Sequence, residues 1–300
     1  MSKPNLEIQF DKISKTEFYI IVIVEHIETH ELVGNGTLFL EPKFLTNSIS
    51  RSLGHVEDIV VKSSHRKKGL GKKIMGMLTE VAKVTNCYEM VLDCSEANIP
   101  FYEIFGYKRA GVQMGKVPAS KKNLVEGFAD NSSKFLNDKI SRFNDEMKPE
   151  GIHMRFFSKS DMGYMVENDG ILVKVENEIN KKLCEDFYSN FAKDPEPYIF
   201  LIIENLDSKE ICGMGRVAIE QKFFKGLCEV GHIDDVRVFS CAAKNPDSLF
   251  GDLCRFLYEI ASEVFSCNNV ILNCENSEIG KFEKLGFEVK GISMSKKLDD

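Results

Sequence analysis

Four short segments of this 300-residue chain occur twice, in the same order. Glu41-Pro42-Lys43-Phe44 is echoed by Glu220-Gln221-Lys222-Phe223, and Gly54-His55-Val56-Glu57-Asp58 by Gly231-His232-Ile233-Asp234-Asp235. Cys87 and Cys94 bracket an apolar strand-like run, as Cys267 and Cys274 do at the same spacing, and Tyr102–Tyr107 is echoed by Phe282–Phe287. A helical stripe repeats as well: Ile74, Met77, Leu78, Val81 and Ala82 in the first half, and Leu253, Phe256, Leu257, Ile260, Ala261 and Val264 in the second. Ordered recurrence at this period predicts a tandem duplication of one fold.

Within the first copy the most informative stretch runs from Gly54 to Gly71. Val56-Glu57-Asp58-Ile59-Val60-Val61 is β-branched and alternating, a half-buried strand. A polar turn follows, then Arg66-Lys67-Lys68-Gly69-Leu70-Gly71 leads into the helix. Glycines at a strand-to-helix junction leave the free amides of the first helical turn approachable, and the helix dipole favours an anion there. The pattern predicts a pyrophosphate cradle. It is no mononucleotide P-loop, because Gly71 is followed by Lys72-Lys73 and not by Lys-Ser/Thr. It also lacks the third glycine and the ribose-binding acid of a dinucleotide fold. An ordinary tight turn is the other reading of a glycine pair.

A formal net charge of −7 argues against a general nucleic-acid binder, although Arg66, Lys67, Lys68, Lys72 and Lys73 concentrate positive charge at the cradle. Nine cysteines without a Cys-x-x-Cys pair indicate neither a disulfide framework nor a metal site, and read as reduced, mostly buried thiols. Residues 1–15 show no apolar targeting segment, and the run Phe18–Val24 is far short of a membrane span, so a cytoplasmic protein without a membrane partner is expected. Strands are predicted at Phe18–Val24 and Val33–Leu40, joined by Glu25 to Leu32, and then at Glu89–Cys94 and Tyr107–Met114. Ile99–Phe105 reads as a short helix. Lys116 to Pro149 is linker-like, yet Phe128, Phe135, Ile140 and Phe143 would suit a docking helix.

Several further motifs occur in order: Cys87-Tyr88 before Val91-Leu92-Asp93-Cys94, Asn98 with Phe101-Tyr102-Glu103, Phe105-Gly106-Tyr107-Lys108, and Val112-Gln113-Met114. The Arg66-x-x-Gly69-x-Gly71 run resembles the acyl-CoA loop of the GCN5-related N-acetyltransferases (GNAT). With its flanks, the stretch from Phe18 to Met114 resembles the glucosamine 6-phosphate N-acetyltransferase family within that superfamily. The resemblance implies an α+β (mixed α/β) chain of two tandem GNAT folds, each a mostly antiparallel twisted sheet splayed at the acyl-CoA site and flanked by helices. In chain order these would be a first copy at 1–118, a linker at 119–149 and a second copy at 150–300. By this resemblance the first copy would lack the family's leading strand and two helices, since residues 1–17 are too few to hold them. The second owns them, with a strand near Ile152–Phe157 and helical patterns through Lys182–Phe191 before a strand at Tyr198–Ile203.

The resemblance also implies roles. Acetyl-CoA, as co-substrate and without a metal, would be held by Ile59, Val60, Val61, Arg66, Lys67, Lys68, Gly69, Leu70, Gly71 and Lys72, and further on by Tyr102, Glu103 and Ile104. The oxyanion donor is expected among the Ile59–Val61 amides, at a bulge that splays the strand. An aminosugar phosphate would meet Lys43, Glu57, Asp58, Tyr88, Glu89 and Asp93. Tyr102 would protonate the leaving thiolate and Asp93 would hold the amine, while a core aromatic beside Phe101 and Phe105 is the other reading of Tyr102. Glu57 and Asp58, adjacent on a strand, would face opposite sides of the sheet. His55 and His232 repeat in both copies, which points to packing.

The second copy departs at each chemical position. Lys244-Asn245-Pro246-Asp247-Ser248-Leu249-Phe250 replaces the glycine loop, Asn273 replaces Asp93, and Phe282 replaces Tyr102. It reads as retained for structure, packed against the first copy as an intramolecular pseudo-dimer. Three functions stay open: acetyl transfer to an aminosugar phosphate, acetyl transfer to another primary amine, and non-catalytic acyl-CoA binding.

Overall fold

The computed structural model describes residues 17–42, 51–118, 128–158, 160–161, 164–166, 172–174, 198–222, 228–239 and 245–298. In chain order the strands and helices are β1 (Tyr19–His26), β2 (Glu31–Pro42), β3 (Ser52–Val61), α1 (Leu70–Val84), β4 (Cys87–Cys94), α2 (Ile99–Glu103), β5 (Lys108–Lys116) and α3 (Phe128–Met147). They continue with β6 (Ile152–Phe156), β7 (Tyr164–Val166), β8 (Leu172–Lys174), β9 (Tyr198–Asn205), β10 (Ile211–Lys222), β11 (Cys228–Val238), α4 (Pro246–Glu259), β12 (Asn269–Cys274), α5 (Ile279–Glu283) and β13 (Glu288–Lys297). By packing the chain forms two units, and both are mixed α+β as expected.

In unit 1, β1, β2 and β3 form an antiparallel meander, and β4 runs parallel to β3 because α1 crosses between them. The first two strands reach to His26 and Glu31, so their turn is shorter than the polar stretch Glu25–Leu32 suggested. The α1 face on the sheet carries Ile74, Met75, Leu78, Thr79 and Ala82. Met77, expected there, is 56% exposed, since the sheet takes the side of the helix marked by Met75. Gly36 permits the close approach: a Cβ there would lie 2.5 Å from Ile74 Cγ2 and 2.7 Å from Ile59 Cδ1. Each large side chain buried in this layer contributes roughly 1.5–3 kcal/mol.

The fifth strand of this sheet comes from the far end of the chain. From Lys290 onward β13 belongs to unit 1, and it pairs antiparallel with β4 from Ile292↔Cys94 to Lys297↔Glu89. Met294 enters the unit 1 core, with the Cys94 thiol 3.6 Å from its sulfur. Conversely β5 leaves unit 1 after Gln113. Its end packs in unit 2, where Lys116 Nζ donates to the Leu285 carbonyl at 2.8 Å and sits 4.2 Å above the Tyr258 ring. The boundaries at residues 118 and 150 therefore follow chain order and not packing. Register with a neighbouring strand, which sequence order does not encode, decides where each last strand goes.

Unit 2 repeats the arrangement, with β9, β10 and β11 antiparallel, β12 parallel to β11, and β6 added outside β9. This front strand falls where it was expected, whereas Lys182–Phe191 lies outside the described residues. Leu253 and Leu257 take the places of Ile74 and Leu78, because a Cβ on Gly215 would meet them as one on Gly36 meets the latter. Cys267, however, follows Leu257 one residue later than Cys87 follows Leu78. The extra residue is absorbed in a π-helical turn, Ile260–Val264, which continues α4. The stretch expected as a linker is largely helix α3: Leu136, Ile140 and Phe143 are buried, and Asn144 Nδ2 donates to the Met154 carbonyl at 2.9 Å. Among the described residues no helix is long and apolar enough to cross a membrane.

Candidate active site

The central strand of unit 1 breaks its own alternation. Asp58 sits at φ 52°, and the register with β2 slips between Thr37↔Glu57 and Asn35↔Val60. Asn35 Nδ2 secures the bulge by donating to the Asp58 carbonyl at 2.7 Å. The bulge sets Asp58 and Ile59 opposite Gly36 and so falls at the start of the Ile59–Val61 stretch around which it was expected. Glu57 and Asp58 do not simply occupy opposite faces, because a left-handed residue stands between two regular segments. On the other side, pairing of β3 with β4 ends at His55↔Val91, although β3 runs on to Val61. Beyond His55 no further β3–β4 pair forms, so the β3 backbone from Glu57 to Val61 is not laddered to β4.

The glycine loop follows the end of that strand and leads into α1. Lys67 and Gly69 both adopt positive φ, 61° and 78°, and α1 starts at Leu70 with Gly69 as its N-cap and no side chain capping it. A Cβ at Gly71 would come within 3.3 Å of the Phe101 ring. Arg66 Nε donates to the Val61 carbonyl at 3.1 Å, which holds the loop to the strand. Arg66, Lys67, Lys68, Lys72 and Lys73 form no ion pair with any described residue. Uncapped amides and unpaired cations together favour a polyanion. Leu70 is half-buried, whereas Glu103, the last residue of α2, and Ile104, which follows it, are exposed.

The face of the sheet away from α1 carries the acids. Register places Glu57 opposite Thr37, and Asp93 opposite Ser293 of β13. Gln113 Nε2 donates to Asp93 Oδ2 at 2.6 Å. Glu89 shares the Asp93 face, two pleats away and opposite Lys297. At Tyr88 the β3–β4 register slips, between Ser52↔Cys87 and Leu53↔Glu89, so that Cys87 and Met90 both enter the core. Lys43 lies outside the described residues. Tyr102 packs edge-on to Phe101 at 5.1 Å and to Tyr107 at 6.2 Å. Burial first, then the Cys94 thiol and the Glu57 carboxylate, raise its hydroxyl above the ordinary phenolic value of 10. Tyr102 is therefore neutral at physiological pH and able to donate a proton, with Glu57 near enough to act on it electrostatically. Gln113 and Ser293 were not anticipated as site residues. Gln113 carried a signal, standing in a closing motif, but Ser293 is 200 positions from Asp93 and only register brings them together.

His55 and Glu41 form a buried pair in unit 1, and in unit 2 His232 Nε2 and Lys222 Nζ hold Glu220 at 2.7 and 2.5 Å. Both histidines are buried in packing positions. Other features of unit 2 differ. Asn245 caps α4, its side chain accepting from the Asp247 amide at 2.9 Å and the Ser248 amide at 3.4 Å. Phe250, in the place of Gly71, meets Phe282, in the place of Tyr102, at 5.7 Å edge-on. Asp235 keeps the left-handed conformation of Asp58, at φ 52°. Arg216, fully buried where unit 1 has Thr37, reaches both Asp234 at 2.9 Å and Asp235 at 3.1 Å.

A strand pair that parts, a glycine-rich helix start with cations free of ion pairs and a neutral tyrosine near Glu57 suit an acyl-thioester-dependent transferase. The sequence profile of the acetyltransferase (GNAT) family matches residues 2–107. Over 98 residues the chain is 42% identical to the glucosamine 6-phosphate N-acetyltransferase of Schizosaccharomyces pombe, spanning 33% of this chain and 86% of that protein. It is 38% identical over 107 residues to glucosamine 6-phosphate N-acetyltransferase 1 of Dictyostelium discoideum, spanning 35% of this chain and 67% of that one. A tandem GNAT protein from the clavulanic acid biosynthesis pathway is similar in fold, with a TM-score of 0.51 at 10% identity, over 100% of this chain and 90% of that one. The chain belongs to the GNAT family and is an acyltransferase; enzymes of this family use acetyl-CoA.

Proposed function

We propose that unit 1 transfers the acetyl group of acetyl-CoA to the amine of glucosamine 6-phosphate by direct attack. The observation that carries this reading is the buried Tyr102 hydroxyl with the Glu57 carboxylate near enough to act on it, on the stretch where β3 no longer pairs with β4. The similarity to aminosugar-phosphate acetyltransferases over the same residues supports the choice of acceptor. The pantetheine arm would run along the β3 edge that β4 leaves unpaired, with the diphosphate on the Gly69–Gly71 loop. The neutral amine attacks the thioester carbonyl, and the oxygen takes up the charge against amides of the Ile59–Val61 stretch. As the C–N bond replaces the C–S bond, the thiolate takes the Tyr102 proton and the amine gives one up towards Asp93, Glu57 or water. Lys43 contributes to the sugar-phosphate end.

The second copy serves structure and leaves the chemistry to the first. In its favour, Asn245 already occupies helix amides that a phosphate would use, and Phe250 and Phe282 stand where a glycine and a tyrosine are needed. Arg216 supplies Asp234 and Asp235 with a cation from the chain itself. The two copies act as an internal two-fold pair, a role consistent with residues 290–298 belonging to unit 1. Incubating the protein with acetyl-CoA and glucosamine 6-phosphate should release free CoA thiol in step with N-acetylated sugar. Thiol release with other amines only would overturn the acceptor, and acetyl-CoA binding without turnover would make the chain a binding protein.

A further inference from the structure

We infer that His26, Lys62, His65 and Lys68 form a second anion subsite beside the glycine loop, suited to the 3′-phosphate of the coenzyme's adenosine. This rests on the reading of unit 1 as an acyl-CoA site and adds to it how the far end of the coenzyme is recognised. The β1–β2 turn is docked on the segment that leaves β3: the Lys62 amide donates to the Val33 carbonyl at 2.9 Å, and Lys62 Nζ engages Glu31. The docking sets the His26 ring against the His65 ring, centroids 5.6 Å apart and edge-on. His65 directly precedes Arg66, the first residue of the loop.

The two imidazoles are held by one nitrogen each. His26 Nδ1 bonds Thr29 Oγ1 at 3.0 Å and His65 Nδ1 bonds Ser64 Oγ at 3.0 Å. Neither Nε2, nor Lys68 Nζ, has a partner among the described residues. Of the acids on the turn, Glu31 is engaged by Lys62 and Glu25 by His30 at 2.5 Å, while Glu28 makes no ion pair with any described residue. Positive charge is thus crowded here. Burial, then Lys68 and His26, and last Lys62, depress the His65 pKa below its ordinary 6.5, against Glu31 alone. A phosphomonoester dianion would relieve that crowding, and charge-assisted hydrogen bonds from imidazolium and ammonium are its natural partners. In coenzyme A such a group lies one ribose ring from the diphosphate.

The test compares coenzyme A with 3′-dephospho-coenzyme A by calorimetry on the full chain, at low ionic strength and at pH 6 and pH 8. The native protein should prefer coenzyme A by about tenfold at pH 6, the scale of one or two charge-assisted hydrogen bonds, and by less at pH 8 as the His65 imidazole loses charge. A His26→Gln, His65→Gln variant should lose most of that preference while binding the dephospho compound as before. In the native protein the His65 imidazole resonances should titrate at higher pH when coenzyme A is bound. Equal affinity of the native protein for both compounds, or an undiminished preference in the variant, overturns the subsite and leaves the acyl-CoA reading intact. Failure to bind either compound overturns both.

Discussion

Tyr102 shows how much one hydroxyl group carries in this site. Its ring is anchored among Phe101, Tyr107 and the unit 1 core, so removing the hydroxyl leaves the packing in place. Tyr102→Phe should lower kcat by roughly 10²-fold, the scale of a general acid, with little change in acetyl-CoA affinity. The sign of its shift bears on pH as well. A phenol held above 10 stays protonated through the physiological range, so kcat should not fall from loss of this proton below pH 10. A rate profile from pH 6 to 10 on native and Tyr102→Phe protein checks both points, and equal turnover would return Tyr102 to the core. The positions of Tyr102 and Asp93 were legible in the sequence, since each stands at a fixed place in a short motif. The partner of Asp93 was not assigned, because a hydrogen bond between residues on two strands depends on their register.

At the scale of elements, both copies keep a buried acid–histidine pair between the second and third strands of the meander. In unit 2, burial raises the Glu220 pKa, but the Lys222 and His232 charges and hydrogen bonds outweigh it and hold the carboxyl below its ordinary 4.5. A depressed folded-state pKa stabilises above the unfolded value and ceases to do so as pH falls through the folded one. Unit 2 should therefore be at full stability above about pH 4.5 and weaken below it. Glu220→Gln should flatten that acid limb and, by leaving Lys222 and His232 buried without their acid, cost about 3–5 kcal/mol at neutral pH. Urea titrations between pH 3 and 7 measure both. A limb that is unchanged in the variant would assign the acid sensitivity elsewhere. The same element scale explains the π turn after α4: one inserted residue is cheaper to absorb as a local bulge than as a rotation of the whole buried stripe.

Across the whole molecule, chain order and packing order part company. Removing residues 290–300 would strip β13 from β4, expose the β4 edge and take Met294 out of the unit 1 core. The truncated chain should lose acetyl transfer although every catalytic candidate in 1–118 is present, and unit 1 should unfold at lower denaturant concentration or aggregate. Activity and urea midpoint compared with the full chain test this. Full activity without β13 would mean that the C-terminal strand braces nothing. Much of the rest was present in the sequence. The tandem repeat, the strand–glycine–helix junction, the strand order of each copy and the helical faces follow from local periodicity and from backbone conformations that particular residues allow. Only the tertiary structure decided which strand each last strand pairs with, that β3–β4 pairing ends at His55, and that Ser293 stands opposite Asp93. Two copies of one fold have chemically similar edges, so a strand from either fits both. The choice is made by long-range register and shared burial, which no local pattern records.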